Sequence, residues 1–202
     1  MVPLAPFTVT LAGVPLQLLP ERAVFLPDTA ALLVADVHLG KAETFQHHGI
    51  PIPAAVNTTT LERLERLCDR TQARRLIVLG DLFHARSGLV DTVIDGWLAF
   101  RQRTGLQTDL IVGNHDRPLI STLRQLSVNC WTAQMTLGAV TLSHEPLCSA
   151  DSSAHKLNIC GHIHPCIRLG PRRDRLRLPC FHWQPRPGCL TLPAFGEFTG
   201  GH

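Results

Sequence analysis

Three short and almost continuously apolar segments are the clearest pattern along the chain. They cover residues 31–35, 75–79 and 109–112 and are rich in leucine and β-branched residues. Segments of this kind form strands that are buried on both faces of a sheet. Nearer the start, Gly and Pro residues divide residues 7–25 into short apolar runs, which predicts small antiparallel strands at the edge of a sheet.

Helical spacing of apolar residues separates these segments. A leucine stripe predicts a helix over about residues 54–72, with charged residues on its opposite face. Apolar residues between Val90 and Leu98 follow the i, i+3, i+4, i+7, i+8 spacing, which predicts a second helix. A third helix is predicted from Asp116, which is suited to cap it, with Pro118 in its first turn.

The second half of the chain is richer in strands. Four further strands are predicted there, over residues 139–143, 157–160, 175–181 and 189–192. Together the elements predict an α/β fold with two sheets face to face and helices outside them. The 202 residues fit one compact unit, so we expect a single domain over residues 1–202.

The composition is that of a globular protein, with 45% hydrophobic and 17% charged residues. A net charge of +3 does not by itself identify a polyanionic partner. The seven cysteines are odd in number and form no Cys-x-x-Cys pair, which indicates reduced thiols rather than a disulfide framework or a zinc ribbon. The sequence shows neither a secretory signal nor an apolar run of about 18 residues, so we expect a cytoplasmic protein without a membrane segment.

Eleven histidines are an unusual excess, and several stand in polar signatures directly after predicted strands. The signatures are Asp36-Val37-His38, Gly80-Asp81, Gly113-Asn114-His115-Asp116, His144 and Gly161-His162-Ile163-His164. In open α/β sheets, ligands gather at the carboxyl ends of the strands. Alternation along an extended chain would place His162 and His164 on one face, as it would Asp36 and His38. The signatures therefore predict one shared site.

The chemistry of these side chains favours a metal centre. Carboxylate, imidazole and amide ligands without a thiolate suit Mn²⁺, Fe or Zn²⁺ better than Cu(I) or an iron–sulfur cluster. Seven ligands of this type are too many for one ion, whereas two divalent ions about 3.5–4 Å apart, bridged by a carboxylate, can use all of them. Such a pair is suited to the hydrolysis of phosphate esters by in-line displacement.

The same signatures, in the same order from residue 36 to residue 164, resemble those of the calcineurin-like metallophosphoesterases. The resemblance implies a four-layer sandwich of two mixed β-sheets flanked by helices. It implies that one metal is held by Asp36, His38, Asp81 and His164, and the other by Asp81, Asn114, His144 and His162. It further implies that His115 protonates the leaving oxygen or stabilises the transition state, and that Asp116 orients His115 through a ring nitrogen.

A narrower resemblance covers residues 35–41, 80–84 and 192–201, which look like the bacterial ligase-associated DNA damage response endonucleases. It implies a phosphodiesterase or endonuclease, with manganese as the expected metal, that acts on single-stranded or damaged DNA beside an ATP-dependent DNA ligase. Two alternatives stay open. In the first, the enzyme acts on a small nucleotide or a phosphoprotein rather than on DNA. In the second, the chain is a metal-stabilised, non-catalytic partner of the ligase.

Other residues have two interpretations each. His84 either faces the site or lies on the surface, and Lys41 either contacts a substrate phosphate or is solvated. Arginines between Arg168 and Arg177 form either a nucleic-acid footprint or an edge strand kept from aggregating by its charges. The loop histidines His47 and His48 either contact the substrate or are solvated, and solvent exposure is favoured. The aromatic residues Phe181, Trp183 and Phe195 either stack on bases or pack in the core, and core packing is favoured.

Overall fold

Two β-sheets, a two-stranded ribbon and four α-helices form the part of the chain that the computed structural model describes, which comprises residues 5–53, 55–147, 156–170, 175–197 and 199. The strands are β1 (Phe7–Leu11), β2 (Val14–Leu19), β3 (Ala23–Leu26), β4 (Ala31–Val34), β5 (Arg75–Val78), β6 (Gln107–Ile111), β7 (Asn129–Trp131), β8 (Met135–Leu137), β9 (Val140–Leu142), β10 (Leu157–Cys160), β11 (Cys166–Leu169), β12 (Leu176–Pro179), β13 (His182–Gln184) and β14 (Cys189–Thr191). The helices are α1 (Lys41–His47), α2 (Val56–Thr71), α3 (Asp91–Thr104) and α4 (Ile120–Gln125).

The first sheet has seven strands in sequence order, from β1 to β7. Strands β1 to β4 pair antiparallel, as predicted for the edge, and β4 to β7 pair parallel. The second sheet has the order β13-β14-β10-β9-β8, with a parallel centre and antiparallel edges. The ribbon of β11 and β12 forms its own antiparallel pair. The predicted α/β fold with two mixed sheets is confirmed.

Two hydrophobic cores lie on the two faces of the first sheet. Leu32 and Val34 of β4 pack with apolar residues of α2, α3 and α4, whereas Leu33 of the same strand packs with residues of the second sheet. Strand β5 alternates in the same way, with Val78 in the helical core and Ile77 in the core between the sheets. This double burial explains why these strands are almost continuously apolar in the sequence.

The parallel strands bring their carboxyl ends to one edge of the molecule. Strands β4, β5 and β6 are neighbours in register, so the segments that follow them emerge side by side. Strands β9 and β10 are parallel neighbours in the second sheet. The main-chain N–H of His162, just after β10, donates to Oδ2 of Asp36, just after β4, at 3.0 Å. The polar signatures of both sheets therefore meet at one place.

Several local predictions need correction. The third helix starts as a 3₁₀ turn over Arg117–Leu119 before the short α4, and Asp116 makes no side-chain cap. The predicted strand over residues 175–181 is shorter, and α1, β7, β8, β11 and β13 were not predicted. Arg172 and Arg173 lie outside the described residues. None of the described helices is long and apolar enough to cross a membrane.

Candidate metal centre

The backbone at the predicted ligands is unusual. Asp36, His38, Asp81, His162 and His164 all have positive φ angles, of 53°, 51°, 55°, 67° and 50°. Residues other than glycine seldom adopt this left-handed conformation, which costs of order 1–3 kcal/mol and tends to occur at functional sites. The surrounding strands and hydrogen bonds therefore hold these side chains in directions that ordinary turns would not give.

Glycines beside the ligands leave the space that these side chains occupy. A Cβ atom on Gly80, whose φ is +87°, would lie 1.8 Å from Nδ1 of His144. A Cβ atom on Gly113 would lie 2.3 Å from Oδ1 of Asp81, and one on Gly161 would lie 2.7 Å from Oδ2 of Asp36. Real Cβ atoms do not approach this closely, so each glycine is required for the close packing of a candidate ligand.

One side of the centre is formed by Asp36, His38 and His164, whose ligand atoms lie within 4.8 Å of one another. Nε2 of His164 is 3.2 Å from Oδ1 of Asp36. A second group with the same spacing contains Asp36, Asp81 and His144. Nε2 of His38 and Nε2 of His144 are each 3.8 Å from Oδ2 of Asp81. Asp81 thus lies between the histidines of the two groups.

The other side is completed by Asn114 and His162. Nε2 of His144 is 3.1 Å from Oδ1 of Asn114 and 3.1 Å from Nδ1 of His162. Nδ1 of His144 lies 2.9 Å from the carbonyl oxygen of Leu79, to which only a protonated nitrogen can bond. A neutral His144 therefore carries its proton on Nδ1 and directs the lone pair of Nε2 into the centre, as a metal ligand requires.

The residues fit a divalent cation. Oδ1 of Asp36 is buried and accepts no hydrogen bond from the described residues, since its 3.2 Å contact with Nε2 of His164 lacks hydrogen-bond geometry, although a buried carboxylate oxygen normally accepts one. Burial lowers the pKa of His38 to about 2, and the nearby charges of Lys41, His115, His84 and His164 act in the same direction. A neutral imidazole beside buried carboxylates is a donor set that a cation would stabilise. The structure thus brings together all seven predicted ligands and supports divalent metal binding.

His115 lies next to the centre and is held by hydrogen bonds of its main-chain N–H and of its ring nitrogen Nδ1. Its main-chain N–H donates to Oδ1 of Asp81 at 3.0 Å, and its Nδ1 is 2.6 Å from the carbonyl oxygen of His84. The ring of His115 stacks on that of His84 with 4.8 Å between centroids and meets the ring of His38 edge-on at 5.0 Å. The ring of His115 therefore lies beside the centre, and its Nε2 makes no hydrogen bond to the described residues.

His84 faces the site, which decides between its two interpretations. Its Nδ1 is 3.4 Å from Nδ1 of His38, and it forms a third group of possible ligands with His38 and His115. Burial lowers the pKa of His84 to about 4, assisted by the charges of Lys41 and His115. The sequence signal was its position two residues after Leu82, and the bridge between Leu39 and Phe83 places it there.

The predicted role of Asp116 is wrong. Its Oδ2 accepts the main-chain N–H groups of Asp81 at 2.6 Å and Gly113 at 3.0 Å, and its Oδ1 accepts that of Leu82 at 3.1 Å. The orienting bond on the ring of His115 comes from His84 instead. Asp116 is fully buried, and its backbone is helical. It ties together the loops that carry the ligands.

The aromatic and loop residues follow the favoured interpretations. Phe195 is fully buried in the helical core, and Phe181 and Trp183 are partly buried against the core between the sheets. His47 and His48 are exposed at the end of α1, where Nδ1 of His48 is 2.7 Å from the carbonyl oxygen of Thr44. Stacking on a substrate base is therefore not a role for Phe195.

The chain is similar over almost its whole length to one solved structure of a nuclease. No protein-family model and no curated protein matches the chain. The crystal structure of the Pseudomonas putida nuclease MPE matches with a TM-score of 0.83 and 36% sequence identity, over 98% of this chain and 90% of that one. The chain belongs to the calcineurin-like metallophosphoesterases.

Two further structures resemble this metallophosphoesterase more remotely. The protein of unknown function AQ665 from Aquifex aeolicus is 16% identical, with a TM-score of 0.49 over 66% of this chain and 78% of that one. The phosphoesterase YfcE from E. coli is also 16% identical, with a TM-score of 0.43 over 85% of this chain and 83% of that one.

Proposed function

We propose that this metallophosphoesterase is a phosphodiesterase that cleaves DNA at the centre described above. The observation that carries the proposal is the meeting of seven candidate ligands with a histidine, His115, whose ring lies beside that of His38 and whose Nδ1 is bonded to the carbonyl oxygen of His84. The 36% identical relative from Pseudomonas putida is a nuclease, which supports nucleic acid as the substrate. Single-stranded or damaged DNA is the proposed form.

Two divalent ions, manganese in the first place and iron or zinc as alternatives, are the proposed cofactors. The proposed ligands are Asp36, His38, Asp81 and His164 for one ion, and Asp81, Asn114, His144 and His162 for the other. When bound, such a pair supplies positive charge for the phosphoryl oxygens and lowers the pKa of a water nucleophile. The position of Asp81 between His38 and His144 supports its role as the shared ligand.

His115 is the proposed acid for the leaving oxygen. The carbonyl oxygen of His84 accepts a hydrogen bond from Nδ1–H, so Nε2 is the nitrogen proposed to exchange a proton with the substrate. When the ring is protonated, the same carbonyl stabilises the imidazolium, and Nε2–H can be donated to the departing oxygen. His84 acts here as a positioning residue through its main chain.

Asp116 acts on the reaction indirectly, through the loops that carry the proposed ligands. By accepting the N–H groups of Asp81, Leu82 and Gly113, it fixes the loop that carries the shared ligand against the loop that carries Asn114. The preorganisation of ligands by such outer contacts is worth about 10- to 100-fold in affinity or activity. We therefore assign Asp116 to positioning rather than to proton transfer.

We further propose that the chain is a single cytoplasmic domain that acts together with an ATP-dependent DNA ligase. The support is the resemblance of residues 35–41 and 80–84 to ligase-associated endonucleases. A pull-down of a candidate ligase with the purified chain, repeated after deletion of the ligase domain that binds, tests this part separately from the chemistry.

The deciding experiment measures hydrolysis of bis(p-nitrophenyl) phosphate and of labelled single-stranded DNA while Mn²⁺ is titrated in. Wild type should cleave both substrates, and Asp81→Asn should lose both activities together with one or both metal ions. His115→Gln should lose the cleavage of DNA, whose leaving oxygen needs a proton. Cleavage of the small ester alone would keep the mechanism and remove DNA as substrate, and inactivity with every divalent metal would overturn the proposal.

A further inference from the structure

The ribbon of β11 and β12 begins two residues after His164, one of the candidate ligands. Its register pairs Ile167 with Leu178, Arg168 with Arg177, and Leu169 with Leu176. Successive side chains on a strand point to opposite faces. The ribbon therefore has an apolar face and a face on which two arginines lie directly opposite each other.

The arginine face is the one that looks toward the metal centre. A cavity of about 120 Å³ is lined by His164 and Pro165, which lead into the ribbon, and by Cys166, Arg177 and Pro179 of the arginine face. The volume is several times the roughly 30 Å³ share of one water molecule, so it can take a phosphate group. No carboxylate is among the described residues that line it.

The paired arginines are electrostatically unfavourable on their own. Like charges directly opposite on neighbouring strands destabilise a sheet. Arg168 and Arg177 are both exposed, and in the described ranges neither forms an ion pair or a side-chain hydrogen bond. Other arginines of the chain are paired, such as Arg70 with Glu21 and Arg103 with Glu65. An anion placed between Arg168 and Arg177 would remove this repulsion.

We propose that Arg177, with Arg168 beside it, binds a backbone phosphate of the substrate strand next to the phosphate that is cleaved. A guanidinium group can bind a phosphate through two parallel N–H···O bonds, and phosphate contacts position a nucleic acid without reading its sequence. The occupant is therefore an oligonucleotide with at least two phosphates rather than a small diester. The proposal rests on the phosphodiesterase function proposed above.

The test compares two substrates and a matched control. Arg177→Gln and Arg168→Gln/Arg177→Gln are assayed with labelled single-stranded DNA and with the p-nitrophenyl ester of thymidine 5′-monophosphate, which has only the reacting phosphate. Arg74→Gln is the control, because Arg74 is exposed and stands immediately before β5, at the amino end of the parallel strands and away from the centre.

The expected result is a change in preference. The ratio of kcat/KM for DNA to that for the small ester should fall roughly tenfold in Arg177→Gln and further in the double variant, whereas Arg74→Gln keeps the wild-type ratio. DNA binding should also depend less on salt, with the log–log slope smaller by about 0.7 for each phosphate that the variant no longer binds.

Three outcomes would overturn the proposal. An unchanged ratio in both variants, with the small ester still hydrolysed, would refute the phosphate site and leave the phosphodiesterase function standing. An equal loss on both substrates would show that Arg177 acts on the centre or on the fold. If the wild type hydrolyses neither substrate with any divalent metal, the proposed function fails. In that case the phosphate site is tested by binding alone, with fluorescence anisotropy of a labelled oligonucleotide. Equal affinities of wild type and Arg177→Gln would then refute the phosphate site as well.

Discussion

Nδ1 of His115 lies 2.6 Å from the main-chain carbonyl oxygen of His84. The carbonyl can only accept, so a neutral ring carries its proton on Nδ1 and its lone pair on Nε2. The two rings also stack at 4.8 Å, which limits rotation of His115. A main-chain acceptor thus does for this histidine what a carboxylate does in many other sites.

The first prediction concerns the proton that His115 supplies. In His115→Gln, the cleavage of DNA should fall at least 100-fold, because an alkoxide is a poor leaving group without a proton. The hydrolysis of bis(p-nitrophenyl) phosphate should fall much less, since p-nitrophenolate leaves without protonation. Steady-state kinetics on both substrates check this. An equal loss on both substrates would show that His115 serves the metal site rather than the leaving group.

The meeting of the candidate ligands at one edge of the sheets was predictable from the sequence, whereas the hydrogen bonds that hold them there were not. Asp36, Asp81 and Asn114 follow segments that are almost continuously apolar, so their place at the carboxyl edge follows from general rules of α/β sheets. The bond between His115 and His84 uses a main-chain oxygen, which leaves no trace in residue types.

Asp116 shows where sequence reasoning failed. The family resemblance implied that Asp116 orients His115 through a ring nitrogen, but the backbone at Asp116 is helical and its carboxylate accepts main-chain N–H groups from two loops. The ribbon shows a second limit. The pairing of Arg168 with Arg177 depends on a register that spacing along one strand does not reveal.

The second prediction concerns the space at Gly80. In Gly80→Ala, the new Cβ atom would meet Nδ1 of His144 at 1.8 Å, so the ring must move away from Asn114 and His162. Metal affinity, measured by isothermal titration calorimetry with Mn²⁺, should fall at least tenfold. Gly138→Ala is the matched control, because Gly138 also has a positive φ, of +61°, but a Cβ atom there meets nothing within 4 Å. It should lose about 1 kcal/mol of stability and keep its metal affinity. Equal metal affinities of the two variants would refute the assignment of His144.

The third prediction separates the two roles considered for Asp116. Asp116→Asn replaces one of the two carboxylate oxygens with an NH₂ donor, so one or two of the three main-chain N–H groups lose their acceptor, and each unsatisfied buried group costs about 1–3 kcal/mol. The free energy of unfolding should fall by roughly 2–4 kcal/mol, and Mn²⁺ affinity should fall with it, because Asp81 loses its fixed position. The residual activity should keep the wild-type preference between DNA and the small ester. A preference like that of His115→Gln would restore the role in orienting His115.

The fourth prediction concerns an ion pair far from the centre. The carboxylate of Asp109 is buried in β6 and accepts from Nε of Arg75 at 2.6 Å and from Nε1 of Trp131 at 2.9 Å. Burial acts to raise the pKa of Asp109, but the hydrogen bonds from Arg75, Trp131 and Asn129 and the charge of Arg75 outweigh it, so the pKa is lowered. Because the folded-state pKa is depressed, this contribution to stability is complete above the unfolded value of about 3.9 and is lost as the pH falls through the folded value.

Arg75→Met should therefore destabilise the fold most at neutral pH, where it leaves a buried carboxylate without its counter-charge. The expected loss is about 3–5 kcal/mol at pH 7, measured by urea unfolding of the metal-free protein. The difference from wild type should narrow as the pH is lowered toward about 3, because the ion pair contributes less to the wild type there. Adding Asp109→Asn to Arg75→Met removes the titrating carboxylate, so the free energy of unfolding of the variant should no longer change with pH through this group. A difference that stays constant with pH would mean that Arg75 stabilises the sheet through its packing against Met135 rather than through its charge.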